Sequence, residues 1–174
     1  MPRHIRRARP DGHRGRRVDL HHLGPAHTSS DVIAWVPDSR VLFAGDLLFI
    51  QGTPVMWAGP AGSWSAACDR MIALEPEIVV PGHGPVTDIP GIQQVQDYLH
   101  FIGQFAAESH AAGRPWSEAA HSVELGPFAS LDNRERIVAN LYTEYRHLEP
   151  STPELSLDQL VAEMAKWRTL SQAQ

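Results

Sequence analysis

A layered α/β domain followed by helices is the fold class this sequence predicts, and three observations carry it. Short apolar runs at residues 18–23, 31–36, 41–44 and 77–80 are each bounded by turn residues, the pattern of strands. A helix-period stretch separates the third run from the fourth, so that strand, helix and strand form a crossover unit. Beyond residue 90 the apolar residues recur at spacings of three and four, which is the helical period.

The elements follow in order. The first run closes at Gly24-Pro25. The second and third are joined by Pro37-Asp38-Ser39, which predicts an antiparallel hairpin whose second strand delivers Gly45-Asp46 at its C-terminal end. The near-continuous apolar character of both strands predicts a sheet covered on both faces. Residues 47–60 contain Gly52, Pro54, Gly59 and Pro60, too many breakers for a helix. Ser63 or Gly62 then caps a helix reaching about Leu74, with Trp64, Cys68, Met71 and Ile72 on one stripe. Cys68 is therefore expected as a small core hydrophobe and not as a reactive thiol.

Downstream, Ile92, Val95, Leu99, Ile102, Phe105 and Ala106 mark a long helix, and Arg114-Pro115 open a short one ending near His121. Asp132 with Glu135 fits a capping box for a helix through Ile137, Leu141 and Tyr145. Ser156 with Gln159 repeats that signature before Leu160, Met164 and Trp167, after a linker at 150–153.

Composition narrows the function classes. The chain has 174 residues, 43% hydrophobic and 20% charged, which suits a globular domain with a real core and excludes a disordered chain. No run approaches the roughly 18–20 apolar residues of a membrane span, and the first residues lack the apolar segment of a secretory signal. A cytoplasmic protein with no membrane partner is the expectation. The single cysteine excludes an internal disulfide framework and a Cys-rich zinc knuckle, so metal chemistry here must use carboxylates and the ten histidines.

Net charge is -5, unevenly spread. Residues 1–17 hold seven Arg against one Asp, or +6, and the remainder holds eight basic against nineteen acidic residues, or -11. The Arg-rich arm has no aromatic interleaving and almost no apolar periodicity. A disordered leader over 1–17 is expected, and a nucleic-acid partner is not.

Three motifs carry the chemistry: Gly24-Pro25-Ala26-His27-Thr28, Phe43-Ala44-Gly45-Asp46 and Pro81-Gly82-His83-Gly84-Pro85. Each sets one metal-capable side chain at the end of an apolar strand. His27 precedes Thr28-Ser29-Ser30-Asp31, small polar residues able to orient an imidazole. Asp46 follows a glycine that lets the backbone pass close to another group. His83 lies in a loop stiffened by Pro81 and Pro85, with room around the ring.

Together these motifs resemble the metallo-β-lactamase fold superfamily of metallo-hydrolases. They are similar to its third metal-binding motif, its bridging-aspartate motif and its last histidine motif. The resemblance implies a partial metallo-β-lactamase-like αβ/βα sandwich over residues 18–89, with a helical C-terminal extension over 90–174. It also implies that His27 binds a first metal, His83 a second, and Asp46, counted with the catalytic residues, bridges both. The ions implied are zinc, with iron or manganese as alternatives. The implied reaction is hydrolysis of an ester, thioester, lactone or lactam in a small-molecule substrate of unidentified kind, by hydroxide generated on the metal pair.

The family's leading motif, His-x-His-x-Asp-His, has no counterpart in this sequence. His4 and His13 lie in the Arg-rich arm at the wrong spacing. His21 and His22 are adjacent, and neighbouring strand residues face opposite sides. The expectation is therefore the second half of such a hydrolase, shortened or read from an internal start, with an incomplete site and impaired activity. The competing expectation is a non-catalytic module whose uncovered sheet drives homodimerisation. Met56, Trp57 and Trp64 near the site are expected in the core more than in a substrate pocket.

Overall fold

A computed structural model of the chain describes residues 4–5 and 15–171. Five strands form one mixed sheet in the order β1 His4–Ile5, β2 Asp19–His22, β3 Val32–Val36, β4 Val41–Phe49 and β5 Ile78–His83. The first four pair antiparallel, and β5 pairs parallel with β4. The helix α1, Ala61–Ile72, makes the crossover between β4 and β5. α2 (Ile89–Ala111), α3 (Trp116–Ser122), α4 (Ile137–Leu148) and α5 (Leu157–Ser171) complete the chain. The expected disordered leader falls largely outside the described residues. Where it is described, His4–Ile5 pairs with β2 and residues 15–18 carry no strand or helix.

Hydrophobic alternation divides the sheet into two unlike faces. Trp35 pairs with Leu42 and Leu42 with Val79, and these residues, with Ile33 and Ala44, are buried beneath α1 and α2. The alternate positions point the other way. Leu20 pairs with Ala34, Ala34 with Phe43, and Phe43 with Val80. On that side Leu20 is 39% exposed, Val32 42%, Phe43 47% and Ile78 45%. The expectation of a sheet covered on both faces is overturned: every α-helix of the described residues follows β4, and none covers that side. The apolar residues that look doubly buried in sequence are a single row of alternating partners, half of it open.

The edge beyond β5 is closed by the chain itself, since Val79 and Thr87 exchange two main-chain hydrogen bonds of 2.8 Å each. One continuous core then runs from the sheet through α1 and α2 into α3, α4 and α5, ending at Leu160 and Trp167. Cys68 is fully buried within it, and burial pushes its thiol up to about 12.

Two helix starts differ in cause. Ser156 and Gln159 make the reciprocal capping box that their spacing predicts, with Ser156 N donating to Gln159 Oε1 at 2.8 Å and Gln159 N to Ser156 Oγ at 3.3 Å. Asp132 and Glu135 do not. The main chain of Asp132 is recruited instead by residues 51–53: its N–H donates to Gln51 O at 3.0 Å and its O accepts from Thr53 N at 2.8 Å. A 3-10 turn over Arg134–Arg136 intervenes, and α4 begins at Ile137 without a side-chain cap.

Candidate functional site

Asp46 lies inside β4, which continues past it to Phe49; the strand does not end at the motif as its turn-like glycine suggests. The pairing with β5 is irregular here: Gly45 faces Pro81 and Phe49 faces His83, so four steps of β4 oppose two of β5. Such a bulge re-aims side chains. Gly45 adopts φ +56°, a conformation that costs a side-chain-bearing residue, yet a Cβ there would meet only Val32 O at 3.8 Å. Its role is conformational. The close approach expected at that position belongs to Gly82, where a Cβ would stand 2.2 Å from Asp46 Oδ1.

All three residues picked out by motif converge. His27 Nε2 stands 3.6 Å from Asp46 Oδ2, and His83 Nε2 stands 3.4 Å from Asp46 Oδ1. Each imidazole faces a different oxygen of one carboxylate. Both separations exceed the 2.7–3.2 Å or so of an ordinary N–H···O bond. Donors held about 2.0–2.2 Å from one tetrahedral cation stand roughly 3.3–3.5 Å apart, so the donor set and its spacing suit two cations sharing Asp46. Among the described residues, no three His, Cys, Asp or Glu side chains converge to hold a single ion. The arrangement is two pairs joined through a carboxylate.

The two histidines are held differently. His27 is 8% exposed, and its Nδ1 lies 2.7 Å from Val55 O. A carbonyl oxygen only accepts, so Nδ1 carries a proton, and in the neutral ring Nε2 then presents its lone pair toward Asp46. The polar residues after His27 do not orient the ring. Asp31 instead ties the turn by accepting from Ala26 N, Thr28 N and Thr28 Oγ1. His83 has a side chain 52% exposed, lying flat on Phe49 with ring centres 4.4 Å apart and 13° between planes.

Phe49, which motif reading misses, stands at the centre of this layer. Its ring is 5.5 Å from His27, 6.4 Å from Trp64 and 5.2 Å from the Arg136 guanidinium. Its only signal in sequence is its place three residues after Asp46 in an apolar run. Trp64 and Met56 are fully buried, as core residues; Trp64 donates its indole N–H to Leu47 O at 3.0 Å. Trp57 is 38% exposed and borders a cleft of about 630 Å³ with Tyr142, Arg146, His147 and Leu155. A second cleft of about 350 Å³ begins at Phe49 and is walled by Val95, Tyr98 and Phe128.

A family model described as the metallo-beta-lactamase superfamily matches residues 3–83, the segment that contains all three motifs. Over that segment the chain is similar to the metallo-β-lactamase superfamily. It is 29% identical over 75 residues to the beta-lactamase-like protein 2 homolog of Caenorhabditis elegans, covering 43% of this chain and 24% of that protein. It is 27% identical over 96 residues to a type 2 metallo-beta-lactamase of Bacteroides fragilis, covering 52% of this chain and 37% of that one. The chain thus spans well under half the length of these curated relatives. A solved metallo-beta-lactamase from Pontibacter korlensis is 24% identical with a TM-score of 0.44, over 48% of this chain and 41% of that one. Among the described residues, no helix is long and apolar enough to cross a membrane.

Proposed function

We propose that His27, Asp46 and His83 are metal ligands of a hydrolase centre, with Asp46 bridging two ions. The observation that carries this reading is the shared carboxylate, which turns one oxygen toward each imidazole Nε2. The ions are zinc, iron or manganese, since imidazole and carboxylate donors accept all three. A bound metal pair supplies Lewis acidity, activating water at neutral pH and stabilising anionic oxygen. The chain's own residues do the rest. Asp46 holds the spacing between the two half-sites, and Gly82 leaves room for its carboxylate. His27 presents its lone pair because Val55 O holds the other ring nitrogen. Phe49 packs against both imidazole rings and so fixes their places beside Asp46.

Each half-site holds one imidazole nitrogen and one carboxylate oxygen from this chain, fewer than the three protein ligands usual for catalytic zinc. Weak metal binding and slow hydrolysis of an ester, thioester, lactone or lactam follow as the expectation for the chain alone. The test is metal content by mass spectrometry after equilibration with each ion, with hydrolysis assays on the four substrate types. Loss of uptake in His83→Ala and Asp46→Asn supports the reading. Unchanged uptake in both variants sinks it.

A second reading rests on a separate observation, the open apolar face around Leu20, Val32, Phe43 and Ile78. An uncovered face of this kind marks an interaction surface, and the occupant proposed is a second copy of the chain. Light scattering across a concentration series tests it; a monomer throughout rejects it.

A further inference from the structure

We propose that Asn140 and Thr143, one turn apart on α4, are positioning residues for His27, acting through two consecutive peptides of the 53–60 loop. The inference rests on the reading of His27 as a metal ligand. The first peptide joins Val55 to Met56. Its carbonyl accepts from His27 Nδ1 at 2.7 Å, and its N–H donates to Asn140 Oδ1 at 2.8 Å. The second joins Met56 to Trp57. Its carbonyl accepts from Thr143 Oγ1 at 2.8 Å, and its N–H donates to His27 O at 3.0 Å. His27 is thus gripped by ring and main chain, and each grip is anchored on its far side by α4.

The anchor at Asn140 has no freedom to turn. Asn140 is fully buried, and its Nδ2 donates to Pro54 O at 2.9 Å and to Tyr98 OH at 2.7 Å. Reversing the amide would set its NH₂ against the Met56 N–H and its oxygen against the Pro54 carbonyl, two buried clashes of like groups. The fixed Oδ1 also polarises the peptide whose oxygen holds His27, since an accepted N–H makes the carbonyl of the same amide a stronger acceptor. The geometry continues on the same side from just before the helix to its last turn: Arg136 donates to Thr53 O at 2.9 Å, and His147 Nε2 lies 3.0 Å from Ala58 O. A helix stripe bonded to the main chain of a strandless loop compensates for the ladder that the loop lacks. α4 lies wholly outside the family-matched segment of residues 3–83, so this device is supplied by the helical extension.

Outer partners that orient a ligating histidine are typically worth about 10- to 100-fold in metal affinity. The experiment uses the full chain, Zn²⁺ as the probe, and long-range ¹H–¹⁵N spectra of the histidine rings recorded without metal. The wild-type His27 ring should show a single tautomer with the proton on Nδ1. Asn140→Ala should give mixed tautomers and weaken Zn²⁺ binding about 10- to 100-fold. Thr143→Val should weaken it by a smaller factor, and Thr143→Ser should restore it. Gln96→Ala removes bonds between α1 and α2 to Ser65 and Asp69, and should change neither readout. If Asn140→Ala does not fold, the isosteric Thr143 pair decides. A folded Asn140→Ala or Thr143→Val with wild-type tautomer and wild-type Zn²⁺ affinity overturns the proposal. Should the wild type take up no Zn²⁺ while Asn140→Ala still scrambles the tautomer, the ligand reading fails and the positioning role stands.

Discussion

The two faces of the sheet are built from the same kinds of residues and have opposite fates. Leu42 and Phe43 are neighbours on β4, yet Leu42 is 0% exposed beneath the helices and Phe43 is 47% exposed on the other side. Val79 and Ile78 on β5 repeat the contrast at 0% and 45%. What separates them is the connection: the chain returns from β4 through α1 and from β5 through α2 to one side only. An apolar strand therefore states that it wants cover on both faces, and the connections decide which face receives it.

The largest expected effect lies on the packed face. Leu42→Ala should cost about 2–5 kcal/mol, measured by denaturant unfolding, because it removes buried methyl groups and leaves a cavity. Phe43→Ala should stay within about 0.5 kcal/mol for a monomer. A large, concentration-dependent loss at Phe43 would show that the open face is covered in solution. Phe43→Lys places a charge on the same face: if a second copy occupies it, the weight-average mass in sedimentation should fall toward the monomer while the unfolding midpoint of the monomer holds.

A middle-sized effect concerns the helix that covers the packed face. Glu144, buried on α4, accepts the main-chain N–H of Ala61 in the first turn of α1. Glu144→Ala should cost about 1–3 kcal/mol by leaving that donor without its partner. Burial raises the carboxyl of Glu144 above its ordinary 4.5, and the bond from Ala61 opposes this only in part. A raised carboxyl favours the folded state when protonated. The wild type should therefore lose stability relative to Glu144→Gln as pH rises above about 4.5, with no pH-dependent difference below it. Unfolding curves of both proteins across that range check the sign; a wild type that gains on Glu144→Gln as pH rises refutes the assignment.

The smallest effect serves as a distant reference. Ser156→Ala, at the capping box of α5, should cost about 1 kcal/mol and leave both sheet faces and Zn²⁺ uptake unchanged. A change in Zn²⁺ uptake there would mean that α5 is coupled to the site.

Much of this molecule was legible residue by residue. Turn chemistry at Pro37-Asp38-Ser39 marked the hairpin, helical spacing from Ile92 to Ala106 marked α2, and Ser156 with Gln159 marked the start of α5, because each depends on neighbours within a turn or two of chain. The three motifs around His27, Asp46 and His83 were legible as local patterns for the same reason, with Gly45 and Gly82 shaping the backbone beside Asp46 and His83. The Asp132 box failed because a main-chain partner 81 residues earlier, Gln51, took the Asp132 N–H that Glu135 would have accepted.

What local spacing could not carry is everything set by return of the chain. Which sheet face is buried depends on the side to which α1 and α2 come back. That Phe49 sits between two imidazoles, and that Val55, Asn140 and Thr143 hold His27, depends on hydrogen bonds spanning 28 to 87 residues. No periodicity records such distances. Buried amide and hydroxyl groups must find partners wherever packing brings them, and here packing brings α4 to the loop behind His27.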